Sequence, residues 1–437
     1  MTRQAVDQPA PVIPDPAVGR RQGGRFAVFE SFRIRGFRFQ WSADALSSWG
    51  FEMETLILGW YILVNTGSAF LVGLFAATRF GGTLLAPFFG VLADRFDRRR
   101  MLILLRITFM LHASSLMVLA LTGMLQPWHV FLIAAISGLV RTADNVLRQT
   151  LIADVVPADS LMNAYGLSRT TMDSARITGS LLGAGLMSQL GIGPAYMVVT
   201  AFYASSTAMA LGITVRGTPN RRVGEGPWKN LRTGALYMRR SQIIMAVMFL
   251  AFLVNLTVFP IVNGLMPIVA LEVYNLDENG LAQLVAATAI GALVGSLAMA
   301  AFVHVARPER MMIVGIVAWH VMLLIFTRVD SVAVALPVLG LFGAATSLSM
   351  VSMSVVLLSS TAREFRGRVM GVRMLAVYGL PIGLVLGGFL IEQWGVQTAL
   401  SAYGVVGLVL TIAALVVWPV LLRSSPAPVS PPAPPAA

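Results

Sequence analysis

Apolar runs of about twenty residues, each long enough to cross roughly 30 Å of hydrocarbon as a helix, succeed one another from near Trp41 to near Leu422. Polar and glycine-containing breaks divide them into twelve predicted helical spans: 41–65, 69–92, 101–124, 128–149, 161–188, 194–215, 242–271, 279–303, 310–327, 332–358, 367–391 and 397–422. An even number puts both chain ends on one side of the membrane. The longest internal break, Arg216 to Gln242, is polar and holds Pro219, Pro227 and the only lysine, Lys229. It separates an N-terminal six-helix bundle, 41–215, from a C-terminal one, 242–422, with 216–241 as the linker. Residues 1–40 begin with repeated prolines and continue with Phe26, Phe29, Phe32, Phe37 and Phe39 among Arg25, Arg33, Arg35 and Arg38. That reads as a disordered tail leading into a segment suited to an anionic membrane surface. Residues 423–437, almost all Pro, Ala and Ser, read as a second disordered tail. The early residues contain no apolar core of a signal peptide, so cleavage is not expected.

The two halves echo each other. Gly179, Gly183, Leu186, Gln189 and Gly191 in the fifth span recur 204 residues later as Gly383, Gly387, Leu390, Gln393 and Gly395 in the eleventh. A parallel repeat of six spans places a pseudo-two-fold axis along the membrane normal and a substrate path between the halves. The expected fold is an all-α membrane protein of twelve transmembrane helices in two pseudo-symmetric six-helix bundles.

Composition agrees with a lipid environment. The chain is 57% hydrophobic and 12% charged, against about 25% charged in an ordinary soluble domain. A net charge of +12 would suggest nucleic acid in a soluble protein, but here the basic residues are sorted by span end. Arg95, Arg98, Arg99 and Arg100, the run from Arg216 to Arg240, and Arg307, Arg310, Arg363, Arg366 and Arg368 all fall on one side. The connections around Gly67, Gly123, Gly191, Asp277 and Gly395 carry no Lys or Arg, and Arg328 beside Asp330 is the exception. By the positive-inside rule both termini are cytoplasmic and the protein is multi-pass in the plasma membrane, with no nucleic-acid partner. Absence of cysteine excludes disulfides, thiolate metal sites and cysteine nucleophiles. His112, His129, His304 and His320 are dispersed, so no metal is expected. No phosphate-binding Gly-x-x-x-x-Gly-Lys-Ser/Thr loop is present, so this chain is not expected to hydrolyse ATP, and any active transport would draw on an ion gradient or a separate partner. No nucleophile, base and metal set converges, so neither an enzyme nor a cofactor is expected.

The strongest local signal follows the second span: Gly90, Asp94, Arg95, Asp97, Arg98, Arg99 and Arg100 in a Gly-x-x-x-Asp-Arg-x-x-Arg-Arg pattern. It resembles the signature loop between the second and third helices of the major facilitator superfamily, with Asp97 in place of the usual second glycine. Within that superfamily the chain is similar to the branch of enterobactin exporters and macrolide efflux proteins. The similarity runs through Gly59-Trp60-Tyr61 and Thr66-Gly67-Ser68, then Leu147-Arg148-Gln149, Val156-Pro157, Leu161, Asn163-Ala164, Ala175-Arg176 and Gly179. The resemblance implies alternating access between two bundles. It also implies a cytoplasmic latch in which Asp94 meets the N-terminus of the eleventh helix. Arg95 and Arg98 are then expected to pair with Asp144, about 24 Å down the fourth span from Trp128 at 1.5 Å per residue. A topogenic positive loop without a latch is the plainer alternative.

Ionisable groups deep in lipid cost at least about 2.5 kcal/mol each and need partners or water. Glu52 and Glu54 fall in the first span, Arg79 in the second, Arg141 and Asp144 in the fourth, Asp173 and Arg176 in the fifth. In the second half only His320 lies at that depth, beside the polar Asn255, Asn263, Thr346, Ser349 and Ser352. Proton binding is therefore expected in the first half. Glu52 and Glu54 point to nearly opposite sides of one helix. Glu52 shares its stripe with Ala45, Ser48, Trp49, Thr55 and Gly59 and is the preferred proton carrier, with permanent pairing to Arg79 or Arg176 as the alternative. Glu54 and Asp173 are the further proton-coupling candidates, with Arg79, Arg141 and Arg176 as charge partners; Asp173 and Arg176, at i and i+3, are expected to pair. Gly179-Ser180 and Gly183-Ala184 resemble an altered antiporter motif, and their small side chains also suit close helix packing.

The expected cavity is lined by the first, fourth, seventh and tenth spans, with Glu52, Thr55, Arg141, Asn255, Asn263, Ser349 and Ser352 on its wall. The expected function is proton-coupled efflux of small drug-like or siderophore-like molecules by a monomer in the lipid bilayer. Uptake or transport of one metabolite, and a non-transporting sensor of the same fold, are the alternatives.

Overall fold

In the computed structural model the described residues are 31–86, 88, 89, 92, 96–157, 160–214, 233, 236–302, 307–362 and 365–422, and helix is their only regular structure. Most of the linker and both tails lie outside them. Twelve helical rods follow in order: α1 (Arg35–Thr66), α2 (Ala69–Thr78, followed by a 3-10 turn, Gly81–Leu85), α3 (Arg98–Leu121), α4 (Pro127–Val155), α5 (Leu161–Leu190), α6 (Ile192–Leu211), α7 (Gln242–Val273), α8 (Glu278–Phe302), α9 (Pro308–Phe326), α10 (Val332–Ser359), α11 (Arg366–Ala376 and Gly379–Trp394) and α12 (Val396–Val417). Eight of them, α3, α4 and α7 to α12, have the length and apolar composition of a membrane crossing. α1 and α5 are diluted by ionisable residues, and α2 is short.

The packing repeats itself when six is added to each helix number. α1 packs on α5 and α6, as α7 does on α11 and α12; α3 packs on α6, as α9 does on α12; α2 packs on α4, as α8 does on α10. The contacts across the halves obey the same rule, α2 against α11 and α8 against α5. The recurring glycines show why. A Cβ on Gly179 would lie 2.8 Å from Glu52 Cβ, and one on Gly183 would lie 3.1 Å from Met53 Cα, so both hold α5 hard against α1. In the other half Gly383 meets Leu256 and Pro260 of α7, and Gly387 meets Leu265 and Tyr403. In lipid, where apolar burial does not drive helices together, such close approach supplies the packing. Gly191 and Gly395 each join two helices through a single left-handed residue, at φ of 83° and 77°, where a side chain would be strained.

α7 is irregular, and sequence chemistry explains it. Two π-helical stretches, Ile261–Leu265 and Val269–Val273, flank Pro267. In the widened register the N–H that would reach the Val262 carbonyl belongs to Pro267, which has none. The Arg176 Nη2 of α5 donates to that carbonyl at 3.2 Å instead.

Candidate functional site

The N-terminal half is organised around an ion network that crosses three helices. Asp44 comes from α1, Arg106 from α3, and Arg141, Asp144 and Arg148 from α4. Arg106 Nη2 lies 2.6 Å from Asp44 Oδ1 and 3.1 Å from Asp144 Oδ1. Arg148 reaches the same two carboxylates at 3.3 and 3.4 Å, and donates to Ser48 Oγ at 3.1 Å. Arg106 and Asp144 are fully buried. Two carboxylates are thus matched by two arginines, and Arg141 is a third cation 3.8 Å from Asp144. The pattern suits a low-dielectric site, where each buried charge needs a partner within reach.

Beside this network a cavity of about 280 Å³ opens between the halves. Its wall is built by α1, α2, α4, α5, α7 and α8 and includes Glu52, Thr55, Arg79, Arg141, Arg176 and Asn263. The Arg79 and Arg141 guanidinium carbons sit 4.3 and 4.0 Å from the centroid of the Phe51 ring, so one aromatic face system carries two cations. Among the described residues Glu52 has no ion pair within 4 Å. Glu54 points the other way, is buried, and accepts a hydrogen bond from the Tyr203 hydroxyl at 2.9 Å.

The cavity is closed toward the arginine-poor ends of the helices. There the Glu392 carboxylate of α11 accepts hydrogen bonds from the Ser68 hydroxyl and, at 3.0 Å, from the Phe70 N–H, both at the start of α2. Gly388 leaves no room for a Cβ beside Ala69 and Phe70. On the pseudo-equivalent side Asn279 of α8 donates to Ser188 Oγ of α5 at 2.8 Å. Ser188 and Glu392 are themselves 204 residues apart, the repeat offset of the glycines. The caps correspond too: Ser68 accepts from Leu71 N–H and Asp277 from Gly280 N–H. That Gly280 bond is the main reason the Asp277 carboxyl, in the α7–α8 connection, is held below the usual carboxylate range.

Two pseudo-symmetric six-helix halves, enclosing a polar cavity and clasped at one end, are a transporter architecture. The family model for transmembrane secretion effectors matches residues 26–431. The chain belongs to that family, within the major facilitator superfamily. Members similar to it include the enterobactin exporter EntS of Citrobacter koseri, 25% identical over 352 residues, covering 79% of this chain and 81% of that one. Macrolide efflux protein A of Streptococcus pyogenes is 22% identical over 370 residues, covering 82% and 89%. Among solved structures, the nucleoside transporter NupG aligns with a TM-score of 0.73 at 14% identity, over 90% of this chain and 100% of that one. A bacterial homolog of the human lysosomal transporter Spinster, in an inward-facing and unoccupied conformation, aligns with a TM-score of 0.64 at 14% identity, over 91% and 97%. These likenesses at low identity show the major facilitator fold. The protein is a multi-pass membrane transporter, not an enzyme.

The structure redistributes the residues that sequence singled out. Glu52, Thr55, Arg79, Arg141, Arg176 and Asn263 share the cavity wall. Ser349 packs against Gly315 of α9 and donates to Thr346, and Ser352 is buried within the C-terminal half. Asn255 donates to Ala251 and backs onto Gly379. Among the described residues α8, through Leu281 and Val285, lines the cavity and α10 does not; α10 packs on α8 and α9. Asp144 is not the partner of Arg98. Arg106 and Arg148 claim it, while Arg98 makes a two-pronged contact, 3.0 and 2.8 Å, with Asp154 further along α4. Arg99 donates to the Leu211 carbonyl. Gly90, Asp94 and Arg95 lie outside the described residues, as does the side chain of Asp173, so the expected latch and the Asp173–Arg176 pair fall there too. His320 is a packing residue: Nε2 contacts Thr257 Oγ1 at 2.9 Å, Nδ1 contacts Ile316 O at 2.8 Å, and Gly407 leaves space for the ring. Among the described residues no His, Asp and Glu group could hold a metal.

Sequence reading missed Asp44, Arg106, Asp154, Tyr203 and Glu392. One signal was present. Arg106 is the only charge in the apolar run from Met101 to Leu121, and such a residue implies a partner on another helix.

Proposed function

We propose that this transporter exports small organic molecules by alternating access, in exchange for protons, with both termini on the cytoplasmic side. The observation that carries the reading is the cavity between the halves, bordered by Glu52, which makes no ion pair within 4 Å among the described residues, and clasped at the arginine-poor end. Arginine-rich ends face the cytoplasm by the positive-inside rule, so in this reading the clasped end is the outer one. The enterobactin exporter and macrolide efflux relatives support the outward direction. Export then requires the Ser68–Glu392 and Ser188–Asn279 clasps to part while the cytoplasmic ends close. Proton exchange requires a group that substrate and proton use in turn. Glu52 is that group, since it lines the cavity while Glu54 is committed to Tyr203. The test is counterflow of labelled candidate substrates in proteoliposomes with and without an imposed pH gradient. Uphill accumulation that follows the pH gradient is the expected result, and accumulation indifferent to it removes proton coupling.

The clasp makes a separate prediction. A carboxylate at a helix N-terminus is stabilised by the exposed N–H groups and the helix dipole, less so where water screens it. Glu392→Gln keeps the shape and removes the charge, which weakens closure by about 1 kcal/mol and shifts the population roughly fivefold toward the form open at that end. The chain lacks cysteine, so a Thr55→Cys reporter can be labelled alone. Its reaction with a membrane-impermeant maleimide from the arginine-poor side should speed up severalfold in the Glu392→Gln background. An unchanged rate means that the clasp does not hold the outer end.

A further inference from the structure

The charges on the cavity wall describe the molecule that fits it. Asp44 and Asp144 are matched by Arg106 and Arg148 inside the ion network. Arg141 stands at the edge of that network, its Nη1 3.8 Å from Asp144, and this nitrogen, buried at the wall, makes no hydrogen bond. The Arg79 guanidinium makes no hydrogen bond or ion pair within 4 Å among the described residues. Both rest on Phe51, which holds them by its ring faces and offers no counter-charge. Two guanidinium groups held near one ring at the cavity wall, one of them with a buried N–H donor unsatisfied, are a receptor for an oxyanion that can accept bonds from both. Arg176, the third cation of the wall, is occupied with Val262 O and Asn263 Oδ1.

Glu52 sits one residue from Phe51 on α1 and, among the described residues, is the one carboxylate on the wall and has no ion pair within 4 Å. A purely anionic substrate would be repelled by ionised Glu52 and welcomed when Glu52 is protonated. Proton and anion would then bind together, which is the opposite of exchange. For proton and substrate to exclude each other at Glu52, the substrate must bring a positive group to it. Phe75, Phe80 and Met266 supply apolar and aromatic wall between these polar points.

We propose that the cavity is a site for a zwitterionic small molecule on an aromatic body, its anionic group held by Arg79 and Arg141 and its cationic group by Glu52. This rests on the proton-exchange reading above. The probes are L-tryptophan, 3-indolepropionate and tryptamine, which share a ring and differ in charge. Binding to the purified full-length chain is measured by titration calorimetry at pH 7.5 and fixed salt, with melting temperatures to show that each variant is folded. L-Tryptophan should bind at least tenfold more tightly than either other probe. Arg79→Gln should weaken L-tryptophan and 3-indolepropionate by a similar factor of ten or more and leave tryptamine no weaker. Arg141→Gln should do the same, so that failure of one variant to fold leaves the other. Glu52→Gln should erase the advantage of L-tryptophan over 3-indolepropionate. The proposal is overturned if 3-indolepropionate or tryptamine binds as well as L-tryptophan, if none of the three binds, or if both arginine variants fold and bind normally. A pH gradient that fails to drive L-tryptophan although it binds with the predicted ranking overturns the proton-exchange reading and leaves the zwitterion site in place.

Discussion

Arg106→Met should leave little folded protein in the membrane. Arg106 joins α1 to α4 from α3 through Asp44 at 2.6 Å and Asp144 at 3.1 Å, and all three side chains are buried. Methionine fills similar volume but provides no charge, so Arg148 is left as the one arginine that reaches both carboxylates among the described residues, at 3.3 and 3.4 Å. Removing one member of a buried ion pair typically costs about 3–5 kcal/mol, because the remaining charge stays desolvated. That is a large part of the roughly 5–15 kcal/mol that holds an ordinary domain together. The expected result is a strong fall in membrane yield and in melting temperature in detergent. Adding Asp44→Asn restores the balance of one carboxylate to one arginine, so the double variant should recover a substantial part of both. A single variant that melts like the parent would mean that the network is not a structural element. The recovery in the double variant separates lost charge balance from lost arginine packing, since the packing is absent in both.

Glu52→Gln should abolish transport driven by a pH gradient while leaving downhill exchange at saturating substrate within a few-fold of normal. Glutamine matches the side chain in size and can still hydrogen-bond, but it cannot take up and release a proton. The closest part of α5 to Glu52 is Gly179, so the helix packing that depends on this position is preserved by a substitution of equal shape. Glu54→Gln provides the contrast. Glu54 is buried against Tyr203, away from the cavity, and its substitution should lower stability more than coupling. Uphill accumulation that persists in folded Glu52→Gln, under an imposed pH gradient, removes Glu52 from the coupling step.

How much of this was legible beforehand depends on whether the determinant was local. Helix positions follow from apolar length. The first span is expected to start at 41, and α1 begins at Arg35, because Phe37 and Phe39 pack inward toward the rest of the N-terminal half, Phe37 being buried, and extend the helix into the interfacial segment. The opposition of Glu52 and Glu54 follows from helical geometry alone, and the pairing of Gly179 with Gly383 shows in the spacing. Which helices face the cavity does not, since α8 and α10 are equally apolar and only their three-dimensional packing decides between them. The ion network was hidden for a similar reason. Asp44 lies 62 residues from Arg106 and 100 from Asp144, and no periodicity connects them. Arg98 looked available to Asp144 in a linear reading. In space Asp154 is the carboxylate at its level, further toward the arginine-rich end of α4.

If one cavity is served alternately from two sides, a reversible lock across the clasp at the arginine-poor end must stop transport. Ser68→Cys and Glu392→Cys place the only two thiols of the chain across the α2–α11 contact, where a short cleavable bis-thiol cross-linker can join them. Counterflow in proteoliposomes should stop on cross-linking and return on cleavage, while substrate binding from the arginine-rich side continues throughout. Full counterflow with the α2–α11 clasp covalently closed would contradict the account.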